Sequence, residues 1–173
     1  MGEPMAARVE LWPLAADQTG IWLVSGGDAW RSSLPIPADS DPLFEVKLLA
    51  SEHDAQMQLD LIHSTSWRVD GPSLVLTWVG IAHADDLVID QWPAALPVIP
   101  KLHDKVGNPL THAANEPPTP RDIDVLFHAI RHLRFLRDTD ESARAVMDEA
   151  WLTHLGEWEP VLSGLYSDSH EAN

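Results

Sequence analysis

Leu59-Asp60-Leu61-Ile62-His63-Ser64-Thr65-Ser66-Trp67-Arg68, then Asp70-Gly71-Pro72, then Ser73-Leu74-Val75-Leu76-Thr77-Trp78-Val79-Gly80-Ile81-Ala82 is the stretch that decides the fold. Two runs rich in β-branched and aromatic residues flank a turn triplet, which reads as a β-hairpin. On the first arm the two-residue period places Leu59, Leu61, His63, Thr65 and Trp67 on one face. Asp60, Ile62, Ser64, Ser66 and Arg68 take the other. The second arm is apolar nearly throughout, as expected of a central strand covered on both sides.

Toward the N-terminus, residues 8–14 and 21–25 are further apolar runs, divided by the turn-like Asp17-Gln18-Thr19-Gly20. Gly26-Gly27-Asp28 reads as another turn. It lacks the further glycines of a dinucleotide fingerprint and the Gly-Lys-Ser/Thr of a P-loop. Ala29-Trp30-Arg31 begins a third short strand. Asp41-Pro42-Leu43-Phe44 opens a helix to about Glu52, with proline at a tolerated first-turn position.

Toward the C-terminus, residues 93–120 hold seven of the fourteen prolines and read as a long connection without a sustained apolar period. Thr119 and Pro120 then signal a helix start, with Asp122 three residues after the cap. Ile123, Leu126, Phe127, Ile130 and Leu133 follow the helical period on one face; Asp124, His128, Arg131 and His132 fall on the opposite side. A second helix is expected from Thr139-Asp140-Glu141 through Trp158, with Pro160 interrupting it and a last turn over 161–166. The expectation is one α+β domain: strand-rich over 8–92, proline-rich over 93–120, helical over 121–166, frayed over 167–173. Its sheet, mixed or antiparallel, has four to six strands, one inserted helix and a C-terminal helical pair.

Composition narrows the function. At 173 residues, 45% of them hydrophobic and eight of them tryptophan, the chain is long enough and apolar enough to bury a core. No run approaches the ~20 apolar residues of a membrane-spanning helix, and the first residues do not read as a secretory signal. The absence of cysteine excludes disulfides, thiolate nucleophiles and cysteine-ligated zinc, and the cytoplasm is the expected compartment. With 27 acids against 11 bases the net charge is −16, which argues against nucleic acid as a partner. Such a charge suits a ligand for a basic partner, or an acidic background that keeps the protein in solution.

Two constellations carry chemistry. Four of the eleven bases, Arg121, Arg131, Arg134 and Arg137, lie on the helix over 121–137 with His128 and His132. Guanidinium forks match phosphate or carboxylate, and histidines four apart can share a metal. Acids early and arginines late in a helix also complement its dipole with no ligand at all. No third metal ligand stands at a fixed spacing, so neither a metal nor a cofactor is expected. The second constellation is the polar run from His63 to Arg68. It suits a ligand-reading groove, or an edge strand facing solvent. Ser64 lies across the strand from His63, and no Gly-x-Ser-x-Gly elbow exists, so no catalytic residue is assigned. The candidate binding residues are His63, Trp67, Arg68, His128, Arg131 and His132. Among the tryptophans, Trp78, Trp151 and Trp158 belong to core faces, leaving Trp12, Trp30 and Trp92 uncommitted.

Across most of its length the chain resembles a family of uncharacterised actinobacterial proteins. The residues that carry the likeness are 63–68 and 70–77, Glu116-Pro117-Pro118, and 128–140 from His128 to Asp140. That family implies no activity. Over residues 8–82 the order of strands, Leu34-Pro35, helix and long hairpin is also similar to the Nudix hydrolases. Their box needs a glycine, a glutamate six on, then Arg-Glu-apolar-x-Glu-Glu-x-Gly eight further, and its carboxylates hold Mg²⁺ against a diphosphate. The ungapped register here puts Ser33, Asp39, Lys47, Leu49 and Glu52 at box positions. Leu48 and Ser51 stand where two glutamates belong, and Asp54 replaces the second glycine. The resemblance therefore implies the fold without its catalysis. The leading expectation is a nonenzymatic binding or protein-interaction domain whose partner is a protein or an anionic small molecule. The alternative is a Nudix-like binder or hydrolase of a phosphorylated small molecule.

Overall fold

The chain forms β1 (Ala6–Asp17), β2 (Gly20–Leu23), β3 (Trp30–Arg31), α1 (Pro42–His53), β4 (Leu59–Asp70) and β5 (Ser73–Ala82). These are followed by α2 (Val88–Gln91), β6 (Leu96–Val98), α3 (Asp122–Thr139), α4 (Glu141–Ala145) and α5 (Glu149–His154), which ends in a 3-10 turn (Leu155–Glu157). The structure is a computed structural model that describes residues 5–100 and 121–161. The α+β expectation holds. Six strands make one mixed sheet in the order β4-β5-β1-β2-β6, with β3 pairing β1 beside β2. All pairings are antiparallel except β1 with β5, which run parallel from Ala6 opposite Ser73 to Leu14 opposite Ile81.

The sheet is covered on both faces. Val9 and Leu11 point to one side, where Val46, Leu49 and Ala50 of α1 close over them. Trp12, Leu14 and Ala16 point to the other, against Leu126, Ile130 and Leu133 of α3 and Trp151 and Leu155 beyond it. Trp12, left uncommitted by the sequence, is 1% exposed and belongs to the core. Each leucine so buried contributes about 1.5–3 kcal/mol. α1 starts where expected because Asp41 accepts from Leu43 N, and Pro42 loses no helical bond.

Four sequence expectations need correction. A strand, β6, forms inside the proline-rich stretch; Pro97 is tolerated because β6 is an edge strand. The N-cap of α3 is Arg121, while Thr119 and Pro120 lie outside the described residues. Nor does α3 have a solvent side at Asp124, His128 and His132, all of which are buried, whereas Ile123 of the expected stripe is exposed. The cause is cover from two directions, by the sheet and by the segments that follow α3. Finally, the second C-terminal helix is broken into α4, α5 and the 3-10 turn, because Asp148 caps a fresh helix by accepting from Trp151 N. The expected last turn over 161–166 and the tail over 167–173 lie outside the described residues, Val161 excepted.

Candidate functional site

Two bulges on β4 decide which side chains meet. Leu59 opposes Ala82 but Leu61 opposes Ile81, and Ser64 opposes Trp78 but Ser66 opposes Thr77, so Asp60 and Thr65 are extra residues. Each extra residue moves the following side chains to the other face. Leu59 accordingly packs on the α1 side and Leu61 on the α3 side. His63, opposite Val79, and Arg68, opposite Val75, share the α3 face although simple alternation separates them. Trp67 is turned to the α1 side, opposite Leu76, and is 61% exposed.

Under α3 the Arg68 guanidinium meets Glu10, a residue the sequence reading missed. Glu10 is fully buried on β1. Arg68 donates to both of its oxygens at 2.7 Å, Arg31 Nε donates at 2.6 Å, Thr77 Oγ1 at 3.1 Å and Trp12 Nε1 at 3.3 Å. Burial alone would raise the Glu10 pKa, but the hydrogen bonds and charges of Arg68 and then Arg31 outweigh it and hold the carboxyl below its usual value. With five donors on two oxygens, this carboxylate is saturated and is no general base. Arg31 extends the network to Asp122 at 3.1 Å and Asp70 at 3.6 Å, tying β3 to the start of α3 and to the hairpin turn.

Further along the same face His63 stacks on His132 of α3, with ring centroids 4.9 Å apart and planes 24° apart. His132 also stacks on Phe135, and its Nδ1 donates to the Val161 carbonyl at 3.3 Å. Burial lowers both pKa values. The nearby His63 lowers His132 further while the Val161 carbonyl works against the shift; Asp140 does the same for His63. This is an aromatic seam between β4 and α3 in which burial disfavours the protonated rings, and face-to-face rings of this kind do not converge on one ion. Among the described residues no group of three histidine or carboxylate side chains could hold a metal.

The remaining candidates are spread apart. Arg131 Nε donates to the Glu159 carbonyl at 3.1 Å. Arg134 reaches the carbonyls of Leu155, Gly156 and Trp158 and the Asp138 carboxylate; Arg137 reaches the Leu152 carbonyl and Asp138. These arginines fasten the segment after α3 onto α3 itself. His128 is buried on α3. The structure therefore joins His63 to His132, binds Arg68 to Glu10, and leaves Trp67 alone of the six turned to solvent.

Clefts on the described surface include two near these residues. One, of about 240 Å³, is lined by Ala16, Ala82, His83, Asp60, Asp148 and Trp151. His83 has Asp60 at 3.0 Å from Nδ1 and Asp85 at 3.3 Å from Nε2. The Asp60 hydrogen bond, with the charge of the same carboxylate, raises its pKa, and both ring nitrogens face carboxylates of this chain. The other cleft, of about 320 Å³, lies between Arg8, Arg31, Ser32 and the hairpin turn at Asp70, Gly71, Pro72 and Ser73. No helix among the described residues is long and apolar enough to cross a membrane. Comparison with protein-family models, curated proteins and solved structures finds no match to any of them.

Proposed function

We propose that this is a nonenzymatic binding or protein-interaction domain whose contact surface is centred on the outer edge of β4. The observation that supports it is the position of Trp67. It stands 61% exposed on a strand that ends the sheet among the described residues, two residues from Val69 at 51% exposure on the same face. A large exposed aromatic beside an open strand edge is costly to leave in water and is the usual anchor of an interface. The arginines put forward as ligand readers are meanwhile engaged with groups of this chain. We place the domain in the cytoplasm, in keeping with its lack of cysteine.

Trp67→Ser combined with Val69→Ser tests this, because neither side chain belongs to the core. The double variant should keep its melting temperature and lose any protein captured by the wild-type domain. Equal capture by both would move the interface elsewhere. A thermal-shift screen with nucleotides, nucleoside diphosphate sugars and simple phosphates, with and without Mg²⁺, tests the alternative. A ligand at a hundred times its Kd would add about 2.7 kcal/mol. A Mg²⁺-dependent rise would replace this reading with a Nudix-like one, in spite of Leu48 and Ser51 standing at two carboxylate positions of the box.

A further inference from the structure

The cleft beside the hairpin turn holds a guanidinium in an unusual situation. Arg8, on β1, donates from Nη1 to the Ser32 carbonyl at 2.9 Å and to the Ser33 carbonyl at 2.6 Å. Its Nε lies 3.4 Å from Ser73 Oγ, a long contact. All of these acceptors are neutral. In a chain with 27 acids and 11 bases, Arg8 thus has no carboxylate partner among the described residues. Anchoring Nη1 on two carbonyls fixes the plane of the group, and of its other edge, Nε with Nη2, the Nε–H is directed at Ser73 Oγ. That edge is the one with two parallel N–H bonds, the fork that matches two oxygens of one anion. Ser73 Oγ, which accepts the long bond from Nε, has its own O–H to give to an anion that takes the fork.

The local charge decides which anion. Arg8, Arg31 and Asp70 line the cleft, and the ion pairs of Arg31 join to them the Glu10 and Asp122 carboxylates and, through Glu10, the Arg68 guanidinium. Three against three is neutral, where the chain as a whole carries −16. Arg31 is shared by Glu10, Asp122 and Asp70 and Arg68 pairs with Glu10, so Arg8 is the guanidinium of the three that has no ion pair within hydrogen-bond reach among the described residues, although its charge completes the local balance. One added negative charge would be held by the hydrogen bonds of the Arg8 fork and its close charge, with no surplus of bases behind it. A second negative charge on the same ligand would add repulsion from Asp70 at the rim of the cleft, which disfavours a dianion relative to a monoanion.

We propose that the cleft formed by Arg8, Ser73 and the hairpin turn is a binding site for a single carboxylate, taken by the Arg8 fork. The ligand is a monocarboxylate, either free or as the carboxylate end of a peptide. The site is independent of the β4 edge, and its success or failure leaves the Trp67 reading standing.

The test is an NMR titration of the ¹⁵N-labelled protein, reading the arginine Nε–Hε signals and the backbone amides of Ser32, Gly71 and Ser73. Acetate, inorganic phosphate and an uncharged tripeptide amide are compared with the corresponding tripeptide acid, at constant ionic strength. Acetate and the tripeptide acid should each shift the Arg8 Nε–Hε signal saturably, with phosphate weaker and the amide without effect. Tighter binding of the acid than of acetate would assign the site to a peptide terminus, and equal binding to the free acid. Arg8→Gln should weaken acetate binding by about tenfold or more, and Arg8→Lys nearly as much, because an ammonium lacks the fork. Arg8 also steadies the loop at Ser32 and Ser33, so Ser73→Ala is the second variant. It leaves that loop intact and should weaken acetate by about two- to fivefold. No saturable shift at Arg8, phosphate binding tighter than acetate, or undiminished binding in Arg8→Gln would each overturn the proposal.

Discussion

At the scale of single residues, the buried Glu10 is the point on which β1, β3, β4 and β5 agree. Removing Arg68 leaves its carboxylate with Arg31 alone among charged donors, in a place from which water is excluded. Arg68→Ala should therefore destabilise by about 3–5 kcal/mol in urea unfolding, while Arg68→Met with Glu10→Met should recover much of that loss. A double variant as unstable as the single one would show that the network does more than neutralise a buried charge. None of this was legible beforehand. Glu10 stands between Val9 and Leu11 in a short apolar run, and nothing in the run says that the one acid in it is buried and met by Arg68 and Arg31. The histidine seam gives a prediction with a sign. Both histidines have folded pKa values below the unfolded value of about 6.5. The unfolded chain then binds more protons, and stability falls as pH drops below about 6.5, levelling off beneath the folded values. His83, whose pKa is raised, works in the opposite direction, favouring the fold as it protonates. The comparison of wild type with His63→Gln between pH 7.5 and 5 isolates the seam: the variant should lose less stability on acidification. Identical pH profiles would mean that the rings take up protons without disturbing the packing.

At the scale of elements, the sequence was informative where a local pattern and a turn chemistry agreed. The hairpin from Leu59 to Ala82 and α1 after Asp41 both formed within a residue or so of expectation, since each carries its own start or turn signal. The faces of β4 were misread because a bulge has no residue signature as strong as a Gly-rich turn, and two of them reverse the alternation at Asp60 and Thr65. That error separated His63 from Arg68 on paper and put Trp67 in a shared face it does not occupy. Arg131, Arg134 and Arg137 were placed correctly on their helix, but the acceptors that tie them to the following segment are carbonyls between Leu152 and Glu159, and a carbonyl is present at every residue. Arg134 alone meets three of them, at 3.0 to 3.1 Å. Arg134→Ala should therefore loosen the segment from Glu149 to Trp158 while the sheet stays closed. Hydrogen exchange would show it as faster exchange at Trp151–Trp158 with unchanged protection on β1 and β5. Uniform loss of protection would mean instead that this segment and the sheet open together.

At the scale of the whole molecule, the charge of −16 acts against folding, because the compact chain brings its carboxylates closer together than the unfolded one does. Salt has two opposed effects here. It screens that repulsion, and it weakens the ion pairs. The strongest pair, Glu10 with Arg68, is buried on the glutamate side and is screened little. The exposed pairs, such as Arg134 with Asp138, are worth only about 0–1 kcal/mol each. Repulsion among the surplus acids should therefore dominate the response. Raising the ionic strength from about 0.01 to 0.15 M shortens the screening length from about 30 to 8 Å, and the melting temperature should rise over that range. Sodium chloride is the salt to use, since a carboxylate salt would add binding at Arg8 to simple screening. Replacing exposed acids such as Glu52 and Asp85 with lysine should raise the melting temperature at low salt and flatten its dependence on salt. A melting temperature that falls with salt would mean that the exposed ion pairs outweigh the repulsion, and the large negative charge would then need an explanation other than one tolerated by the fold.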